Sequence, residues 1–327
     1  MSNPWDNSRP RPPRSPGGSG GPGGPRGPRD PQGPRGPRDA RGQHDARDSQ
    51  AARSARAPNR PSAYASADDA AGELAAEYVP HAGANRSEVR LYGINAVQAV
   101  FEQRPDAIRK IYLEETRIPR FKALLAWCVK QRVGYRVVAE QDLDKLAGSQ
   151  HHEGIVAEVL KSEPVALRDW LRELPAGPAL ALWLDGVGNP HNFGAILRSA
   201  AHFGVSAILL PHASHLAVSG AAARVAEGGA ERVPLVRMGA PAEAIDDLHE
   251  AGFALAATVV RDGMDLFDTG LPERLVYVMG AEGEGMDLKL AAACDARVSI
   301  PGTGAVESLN VAAATAVMLA LWRQQRD

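Results

Sequence analysis

Polar side chains cluster near the C-terminal end of the chain, where a glycine loop leads into an Ala- and Leu-rich segment. The stretch 299–311 reads SIPGTGAVESLNV and contains three of them, Glu307, Ser308 and Asn310. Helix N-termini present unpaired N–H groups, and glycines let a ligand approach the backbone closely. The pattern therefore predicts a ligand site, suited to an anion, where a final helix over Ser308–Arg323 begins.

A second loop of unusual composition spans 185–198 and reads DGVGNPHNFGAILR. Its Gly-x-Gly start suggests a dinucleotide-binding fingerprint. That fingerprint fails, because His191 stands where glycine is needed and no ribose-binding acid follows the next strand. Asn192 fits the N-cap of a helix. Arg198 has two open interpretations, a surface side chain that extends into solvent or a residue that binds an anion.

A third loop, 279–286, also follows a predicted strand and reads MGAEGEGM. Its three glycines within six residues permit close backbone approach to a flat or charged ligand. Glu282 is suited to pair with a cation or to accept a hydrogen bond from an amine. A simple glycine turn would explain the glycines but not the two carboxylates among them.

Residues 179–327 alternate apolar strands with helices. Near-continuous apolar strands of this kind indicate a parallel sheet covered on both faces, with ligands at the carboxyl ends of the strands. The predicted strands are Ala179–Leu184, Val205–Leu210, Val233–Val236, Phe253–Val259, Leu275–Met279 and Arg297–Ile300. The predicted helices are Asn192–Phe203, Gly220–Glu227, Pro241–Ala251 and Ser308–Arg323.

Residues 88–163 are predicted to form a smaller α/β unit. Its predicted helices are Gly93–Phe101 and Pro119–Val133, and its predicted strands are Ile108–Leu113, Tyr135–Val138 and Gly154–Leu160. Basic side chains are frequent in this unit, and they would either dock an RNA backbone or form an ordinary solvated surface.

Two short segments flank the end of this unit. Adjacent His151 and His152 are better explained by a turn before the last strand than by a metal site, because neighbouring side chains on a strand face opposite ways. Residues 164–178 contain three prolines and a short predicted helix near Trp170, and we interpret them as an interdomain linker.

Residues 1–85 consist mainly of Pro, Gly, Arg, Ser and Ala. We predict that they are disordered, because they cannot bury enough apolar surface to offset their ordering entropy. Residues 1–60 hold 12 Arg, no Lys and 5 Asp, a net charge of +7, whereas the rest of the chain holds 25 basic and 34 acidic residues, a net charge of −9. Such an arm would either tether RNA through its phosphates or act as a solubilising tail.

The two cysteines, Cys128 and Cys294, are far apart and match no metal-ligand spacing, so we expect free thiols in a reducing compartment. The first residues lack the apolar segment of a signal peptide, and no apolar run is long enough to cross a membrane. These features lead us to expect a soluble cytoplasmic protein.

In order and spacing, the three loops resemble the signature motifs of the SpoU, or TrmH-type, RNA ribose 2′-O-methyltransferases. Asn192-x-Gly194-x3-Arg198 resembles motif 1, Gly280-x-Glu282-x2-Gly285 resembles motif 2, and Pro301-x2-Gly304-x3-Ser308-Leu309-Asn310-Val311 resembles motif 3. Residues 88–160 resemble the small L30e-like substrate-binding domain of the 23S rRNA guanosine subgroup. Gly302 and Ala312 depart from motif 3, which usually has Met and Ser at these positions.

The resemblance implies an α/β fold of the SPOUT type, with a parallel sheet and a deep C-terminal trefoil knot, that works as a homodimer. It implies an enzyme that transfers a methyl group from S-adenosylmethionine to a ribose 2′-hydroxyl of rRNA or tRNA. The alternative is an RNA-binding scaffold with little or no catalysis, while the failed dinucleotide fingerprint disfavours an oxidoreductase. No metal is implied. The resemblance places Gly280, Ile300 and Leu309 at the cofactor and, around the methyl transfer, Asn192, Arg198, Glu282, Ser308 and Asn310.

The role of the motif 1 arginine follows from its chemistry. In the family this residue is proposed to take the hydroxyl proton. A guanidinium is effectively always protonated, so we expect Arg198 to hold an RNA phosphate and orient the hydroxyl instead.

Overall fold

The computed structural model describes Trp5, residues 87–280 and residues 285–326. Glu282 therefore lies outside the described residues, as does the predicted disordered arm apart from Trp5. The indole of Trp5 is partly buried against the larger hydrophobic core of the chain.

A four-stranded sheet with three helices forms the first part of the described chain. Its strands are β1 (Glu88–Tyr92), β2 (Ile108–Leu113), β3 (Gly134–Val137) and β4 (Ile155–Leu160), in the order β1-β4-β2-β3. Strand β4 pairs antiparallel with both neighbours, and β2 pairs parallel with β3. The helices are α1 (Ile94–Gln103), α2 (Lys122–Gln131) and α3 (Glu140–Ala147). Strand β1 and helix α3 had no counterpart in the sequence prediction, and α2 starts later than Pro119 because turns occupy the preceding residues.

An eight-stranded parallel sheet forms the second part, which confirms the predicted parallel α/β architecture. Its order is β10-β12-β9-β11-β6-β7-β8-β5. The strands are β5 (Val165–Ala166), β6 (Ala179–Leu184), β7 (Ala207–Leu210), β8 (Leu235–Arg237), β9 (Ala254–Thr258), β10 (Met264–Asp265), β11 (Arg274–Met279) and β12 (Ala296–Ser299). Each pairing is parallel, from β10–β12 at one edge to β5–β8 at the other.

Helices cover both faces of this sheet, as the apolar strands predicted. They are α4 (Leu167–Glu173), α5 (Pro190–Phe203), α6 (Gly220–Ala226), α7 (Pro241–Glu250), α8 (Leu288–Ala293) and α9 (Val311–Gln324). Along β6, Leu180, Leu182 and Leu184 pack into the core under α5 and α9. The intervening Ala181 and Trp183 pack into the core on the other face, under α4 and α7. Every β6 side chain is therefore buried, which explains its unbroken apolar sequence.

Two predicted helix starts were wrong, and capping explains both. Helix α5 begins at Pro190 rather than Asn192, because the Asn189 side chain accepts hydrogen bonds from the backbone N–H groups of the first turn and proline is favoured at the first helical position. Helix α9 begins at Val311 rather than Ser308, because the Asn310 side chain caps its first turn in the same way. Ser308 therefore lies in the loop before the helix.

Residues 164–178 do more than connect the two sheets. Strand β5 extends the large sheet by pairing with β8, and the short helix predicted near Trp170 is present as α4. Leu167 and Trp170 are buried in the core. Among the described residues, no helix is long and apolar enough to cross a membrane.

Candidate active site

The predicted site residues gather at the carboxyl edge of the large sheet. Strand β9 lies between β11 and β12, so Gly280, which follows β11, and Ile300, which follows β12, leave the sheet two strand spacings apart, about 10 Å. Strand β6 is the neighbour of β11 on the other side, and the loop from Asp185 to Asn189 leaves the same edge. Parallel pairing thus brings the start of all three sequence motifs to one edge.

A direct hydrogen bond joins the first and third motifs. The Asn310 amide Nδ2 donates to the Asn192 amide oxygen Oδ1 at 3.0 Å, across 118 positions of sequence. The capping pattern makes this contact possible, because Asn189 rather than Asn192 caps helix α5. Meanwhile the Asn310 oxygen accepts from Ala312 N at 2.9 Å, which fixes the orientation of its amide.

Arg198 lies apart from this amide pair. Six residues along α5 from Asn192 correspond to about 9 Å of rise and about 120° of rotation, so the two side chains leave the helix on different faces. Arg198 is exposed, and among the described residues no hydrogen bond or ion pair holds its guanidinium. The structure therefore brings Asn192 and Asn310 together but not Arg198, whose charge is presented to solvent.

The other predicted site residues differ in accessibility. Ser308 and Leu309 are exposed in the loop before α9, and half of the Leu309 surface is accessible. Ile300 is partly buried against the core. The accessible parts of Leu309 and Ile300 each offer apolar surface to a ligand.

The backbone around Gly280 fits a ligand that approaches the chain closely. A Cβ at Gly280 would lie 2.7 Å from both Gly285 C and Met286 N, so the backbone at Gly285 and Met286 passes Gly280 at a distance that only glycine allows. Gly285 has φ +77°, in the left-handed region. Close backbone approach at Gly280 suits a cofactor that is held largely through backbone groups, as expected for S-adenosylmethionine.

The sequence prediction missed a network of charges, centred on Arg224 of α6, that joins the two sheets. Arg224 Nη2 lies 2.7 Å from Glu153 Oε1, and its Nη1 also contacts Glu227. The Glu153 carboxylate accepts from Ile94 N at the start of α1, at 2.8 Å, and Asn95 Nδ2 donates to Glu227 at 2.6 Å. Arg224 and Glu227 are three positions apart, but the other partners are separated by 59 to 132 positions, so no local pattern predicts their contacts.

Glu227 connects this network to the first motif. Burial alone would raise the pKa of Glu227, but hydrogen bonds from Asn95 and Arg224 and the charges of Arg224 and Arg198 hold it below its ordinary value. The turn that follows Glu227 packs tightly on α5, since a Cβ at Gly229 would lie 3.0 Å from Arg198 Cα. The carboxylate therefore remains ionised beside the network and attracts the Arg198 guanidinium.

The turn predicted at His151–Gly154 is present. Buried His152 accepts a hydrogen bond on Nδ1 from Gly154 N at 2.9 Å, and its Nε2 lies 3.2 Å from Asp144 Oδ1. Both ring nitrogens thus have protein partners. Glu153, at φ +53°, is the residue of this turn that reaches Arg224.

The fold and site together define a parallel α/β protein whose polar loops meet at the carboxyl edge of one sheet. Comparison with known families agrees. The SpoU rRNA Methylase family matches residues 179–320, and the family described as RNA 2′-O ribose methyltransferase substrate binding matches residues 90–165.

Curated relatives of this chain are named as RNA methyltransferases. The uncharacterized tRNA/rRNA methyltransferase YfiF of Escherichia coli O157:H7 is 40% identical over 73% of this chain and 68% of its own length. The 23S rRNA (guanosine-2′-O-)-methyltransferase RlmB of Pseudomonas putida is 35% identical over 70% of this chain and 94% of its own length. The chain therefore belongs to the SpoU family of RNA methylases.

Solved structures share the fold. The SpoU methyltransferase AviRb from Streptomyces viridochromogenes, in complex with AdoMet, matches with a TM-score of 0.62 and 24% identity over 74% of this chain and 94% of its own. The AdoMet-bound rRNA methyltransferase from Sinorhizobium meliloti matches with a TM-score of 0.62 and 24% identity over 73% of this chain and 87% of its own.

Proposed function

We propose that this protein is an S-adenosylmethionine-dependent methyltransferase that methylates a ribose 2′-hydroxyl of rRNA or tRNA. Family membership supports the activity, and the curated relatives named above are rRNA or tRNA/rRNA methyltransferases. The observation that carries the proposal is the 3.0 Å hydrogen bond between Asn192 and Asn310, which joins two sequence motifs at the carboxyl edge of the sheet. Two amides held in a fixed orientation at this edge can position a hydroxyl, whereas they would contribute little to a hydrophobic core.

Cofactor binding is assigned to Gly280, Ile300 and Leu309. The tight turn at Gly280 gives access to backbone N–H and C=O groups, and the accessible side of Leu309 offers an apolar surface to a flat ring. When bound there, S-adenosylmethionine supplies a methyl group that is already activated by its sulfonium.

The residues of the chain then have to position the ribose for the methyl transfer. A ribose 2′-hydroxyl is a poor nucleophile, so much of the rate comes from aligning it with the methyl group and from stabilising the departure of its proton. We assign alignment to Asn192 and Asn310, with Ser308 in the adjoining loop and Glu282 in the motif 2 loop. Arg198 holds an RNA phosphate near the hydroxyl, because its guanidinium stays charged and is open to solvent.

The substrate proposal follows the relatives. RlmB of Pseudomonas putida is a guanosine-2′-O-methyltransferase, and we extend guanosine to this chain. Residues 88–163 serve as the substrate-binding domain, of L30e-like fold, residues 164–178 as its connection, and residues 179–327 as the catalytic domain. The Arg-rich arm, residues 1–85, tethers RNA through phosphates.

The remaining family features are part of the same proposal. The C-terminal segment forms a trefoil knot, and the protein works as a homodimer in the cytoplasm. A dimer is consistent with the position of Arg198, because a guanidinium that leaves α5 about 120° away from Asn192 is available to a site completed by a second copy.

The decisive experiment compares Arg198→Ala with Arg172→Ala, which removes another exposed arginine, on α4. S-adenosylmethionine affinity is measured by calorimetry, and transfer of a tritiated methyl group is measured on unmodified ribosomal RNA and tRNA transcripts. We expect Arg198→Ala to lose at least 100-fold in transfer with unchanged cofactor affinity, consistent with loss of one charge-stabilising group. Full activity of Arg198→Ala would refute its assignment, and RNA binding by the wild type without any transfer would favour the scaffold alternative.

A further inference from the structure

A cleft of about 500 Å³ opens beside the first motif. Its two walls are the loop after β6, residues 185–190, and the loop after β7, residues 211–219. In the sheet order, β7 lies on one side of β6 and β11 on the other, with β12 beyond. The loop after β6 therefore lies between the cleft and the two segments that begin at Gly280 and Ile300, where we place the cofactor.

A smaller pocket of about 220 Å³ connects the cleft to the amide pair. It is lined by Gly186, Val187, Gly188, Asn189 and Asn192, and it shares the first three of these residues with the cleft. Asn192 is the residue whose amide accepts from Asn310. A ligand that fills the cleft therefore lies next to the pocket that contains Asn192, at the proposed position of the methyl transfer.

Hydrogen bonds fix the loop after β7, which forms one wall of the cleft. Arg237, at the end of β8, donates from Nη1 to Pro211 O at 2.9 Å and to Ser214 O at 2.8 Å. Ser214 N donates to Pro211 O at 2.9 Å, and Ser214 Oγ accepts from Leu216 N at 3.2 Å. A wall held by four hydrogen bonds is preformed, so a ligand does not have to order it on binding.

The chemistry of the lining suits a nucleobase. Val187, Pro190 and Leu216 offer apolar surfaces on which a flat ring can pack. Asp185, at the end of β6, is the carboxylate of the lining, and it is partly buried. Desolvation, together with the nearby charge of Asp287, raises the pKa of Asp185 above its ordinary value, despite a hydrogen bond from the Asp287 backbone. A poorly hydrated carboxylate gains most from a ligand that brings hydrogen-bond donors.

Among the four RNA bases, guanine best matches this acceptor. An ionised carboxylate accepts through two oxygens and donates nothing. Guanine presents two adjacent donors, N1–H and the N2 amino group, on its Watson–Crick edge, whereas adenine and cytosine place an acceptor beside their amino group. Proteins read unpaired RNA bases on this edge while stacking on their faces.

We propose that this cleft receives the unstacked base of the target nucleoside, a guanine, with Asp185 accepting from its Watson–Crick edge and its ribose directed toward Asn192. The inference rests on the proposed function and deepens it, because it places the base of the target nucleoside on the side of the β6 loop that faces away from Gly280 and Ile300.

The test uses three variants of the full-length protein. Ala217→Phe fills the cleft from an exposed alanine of its lining, and Asp185→Asn keeps the side-chain volume but replaces one acceptor with a donor. The control is Ala176→Phe, which adds the same ring at an exposed alanine just before β6, at the opposite edge of the sheet. Circular dichroism establishes that all three are folded.

Guanosine 5′-monophosphate and adenosine 5′-monophosphate are the probes, and binding is measured by saturation-transfer NMR with S-adenosylhomocysteine present. We expect the wild type and Ala176→Phe to bind the guanine nucleotide at least tenfold more tightly than the adenine nucleotide. Ala217→Phe should weaken guanosine monophosphate at least tenfold, and Asp185→Asn should abolish the preference for guanine.

S-adenosylmethionine affinity, measured by calorimetry, distinguishes this inference from the proposed function. It should be equal in the wild type, Ala217→Phe and Ala176→Phe. Asp185→Asn is left out of this comparison, because the Asp185 carboxylate also accepts a hydrogen bond from the Asp287 backbone in the segment that follows Gly280. Competition between guanosine monophosphate and the cofactor, loss of cofactor binding in Ala217→Phe, or unchanged nucleotide binding in both cleft variants would each overturn the cleft assignment. A wild type that binds neither the cofactor nor RNA would instead overturn the proposed function.

Discussion

The ion pair between Arg104 and Glu231 gives the sharpest prediction about how the two sheets are held together. Arg104, at the end of α1, donates from Nε and Nη2 to the two carboxylate oxygens of Glu231 at 2.6 and 2.9 Å. Its Nη1 also donates to Leu160 O at 2.5 Å. The Glu231 side chain is only 8% exposed and that of Arg104 is 23% exposed. Because the ion pair is bidentate and largely buried, its disruption should lower the stability of the fold.

The expected loss in the free energy of unfolding of Arg104→Ala follows from the groups that the substitution leaves without a partner. The substitution leaves a nearly buried carboxylate without its cation and a carbonyl without this donor. Breaking a buried pair by removing one partner costs about 3–5 kcal/mol of stability. Because Arg104 is partly exposed, we expect a loss of about 3 kcal/mol here. For a protein of this size the loss corresponds to a fall in Tm of about 6–12 °C.

Urea unfolding followed by circular dichroism measures the effect, with two comparisons. Replacing both partners, in Arg104→Met with Glu231→Leu, should cost less than Arg104→Ala alone, because no unpaired charge stays buried. Lys145→Ala removes a pair with Asp142 whose side chains are 78% and 58% exposed, and it should cost less than about 0.5 kcal/mol. If the free energies of unfolding of Arg104→Ala and Lys145→Ala agree within experimental error, the Arg104–Glu231 pair does not hold the two sheets together.

Three further predictions concern packing, ionisation and RNA affinity. Gly194→Ala should lose about 2 kcal/mol or more in urea unfolding, because its Cβ would lie 2.5 Å from a backbone carbonyl oxygen of α6, whereas Gly188→Ala, with open space around it, should be neutral. Burial raises the pKa of the Cys128 thiol from 9.0 to about 11. The contribution of Cys128 to the free energy of unfolding should therefore be level below pH 9 and fall between pH 9 and 11, where the unfolded thiol ionises first. Burial also raises the pKa of Cys294 to about 11, so Cys128→Ala should reduce the measured fall without removing it. Replacing the 12 arginines of residues 1–60 with glutamine should flatten the dependence of RNA affinity on salt by about 0.7 per lost phosphate contact, and an unchanged slope in fluorescence anisotropy would contradict the tether.

The elements were predictable where local sequence decides them. Strand β6 matches its prediction residue for residue, because six consecutive apolar side chains are buried on both faces of a parallel sheet. Helix starts were less predictable, since two asparagines flank Pro190 and His191 and either could cap the helix. Proline at the first helical position selects Asn189, and that choice leaves Asn192 to face Asn310.

The candidate site was predictable as a set of motifs and only partly as a geometry. Its residue types and spacing indicated the SpoU family, which the comparisons confirm. That Asn192, Arg198, Glu282, Ser308 and Asn310 carry the methyl transfer stays a prediction. The direction of Arg198, about 120° around α5 from Asn192, follows from helix geometry once the helix is established.

The sequence alone thus determined the class of fold, the apolar strands and the family, because these depend on patterns a few residues long. Only the tertiary structure decided which distant side chains meet. The Asn192–Asn310 hydrogen bond spans 118 positions and the Arg104–Glu231 ion pair spans 127. Such contacts depend on the order of strands in a sheet and on the packing of helices across it, and no local pattern of residues encodes either one.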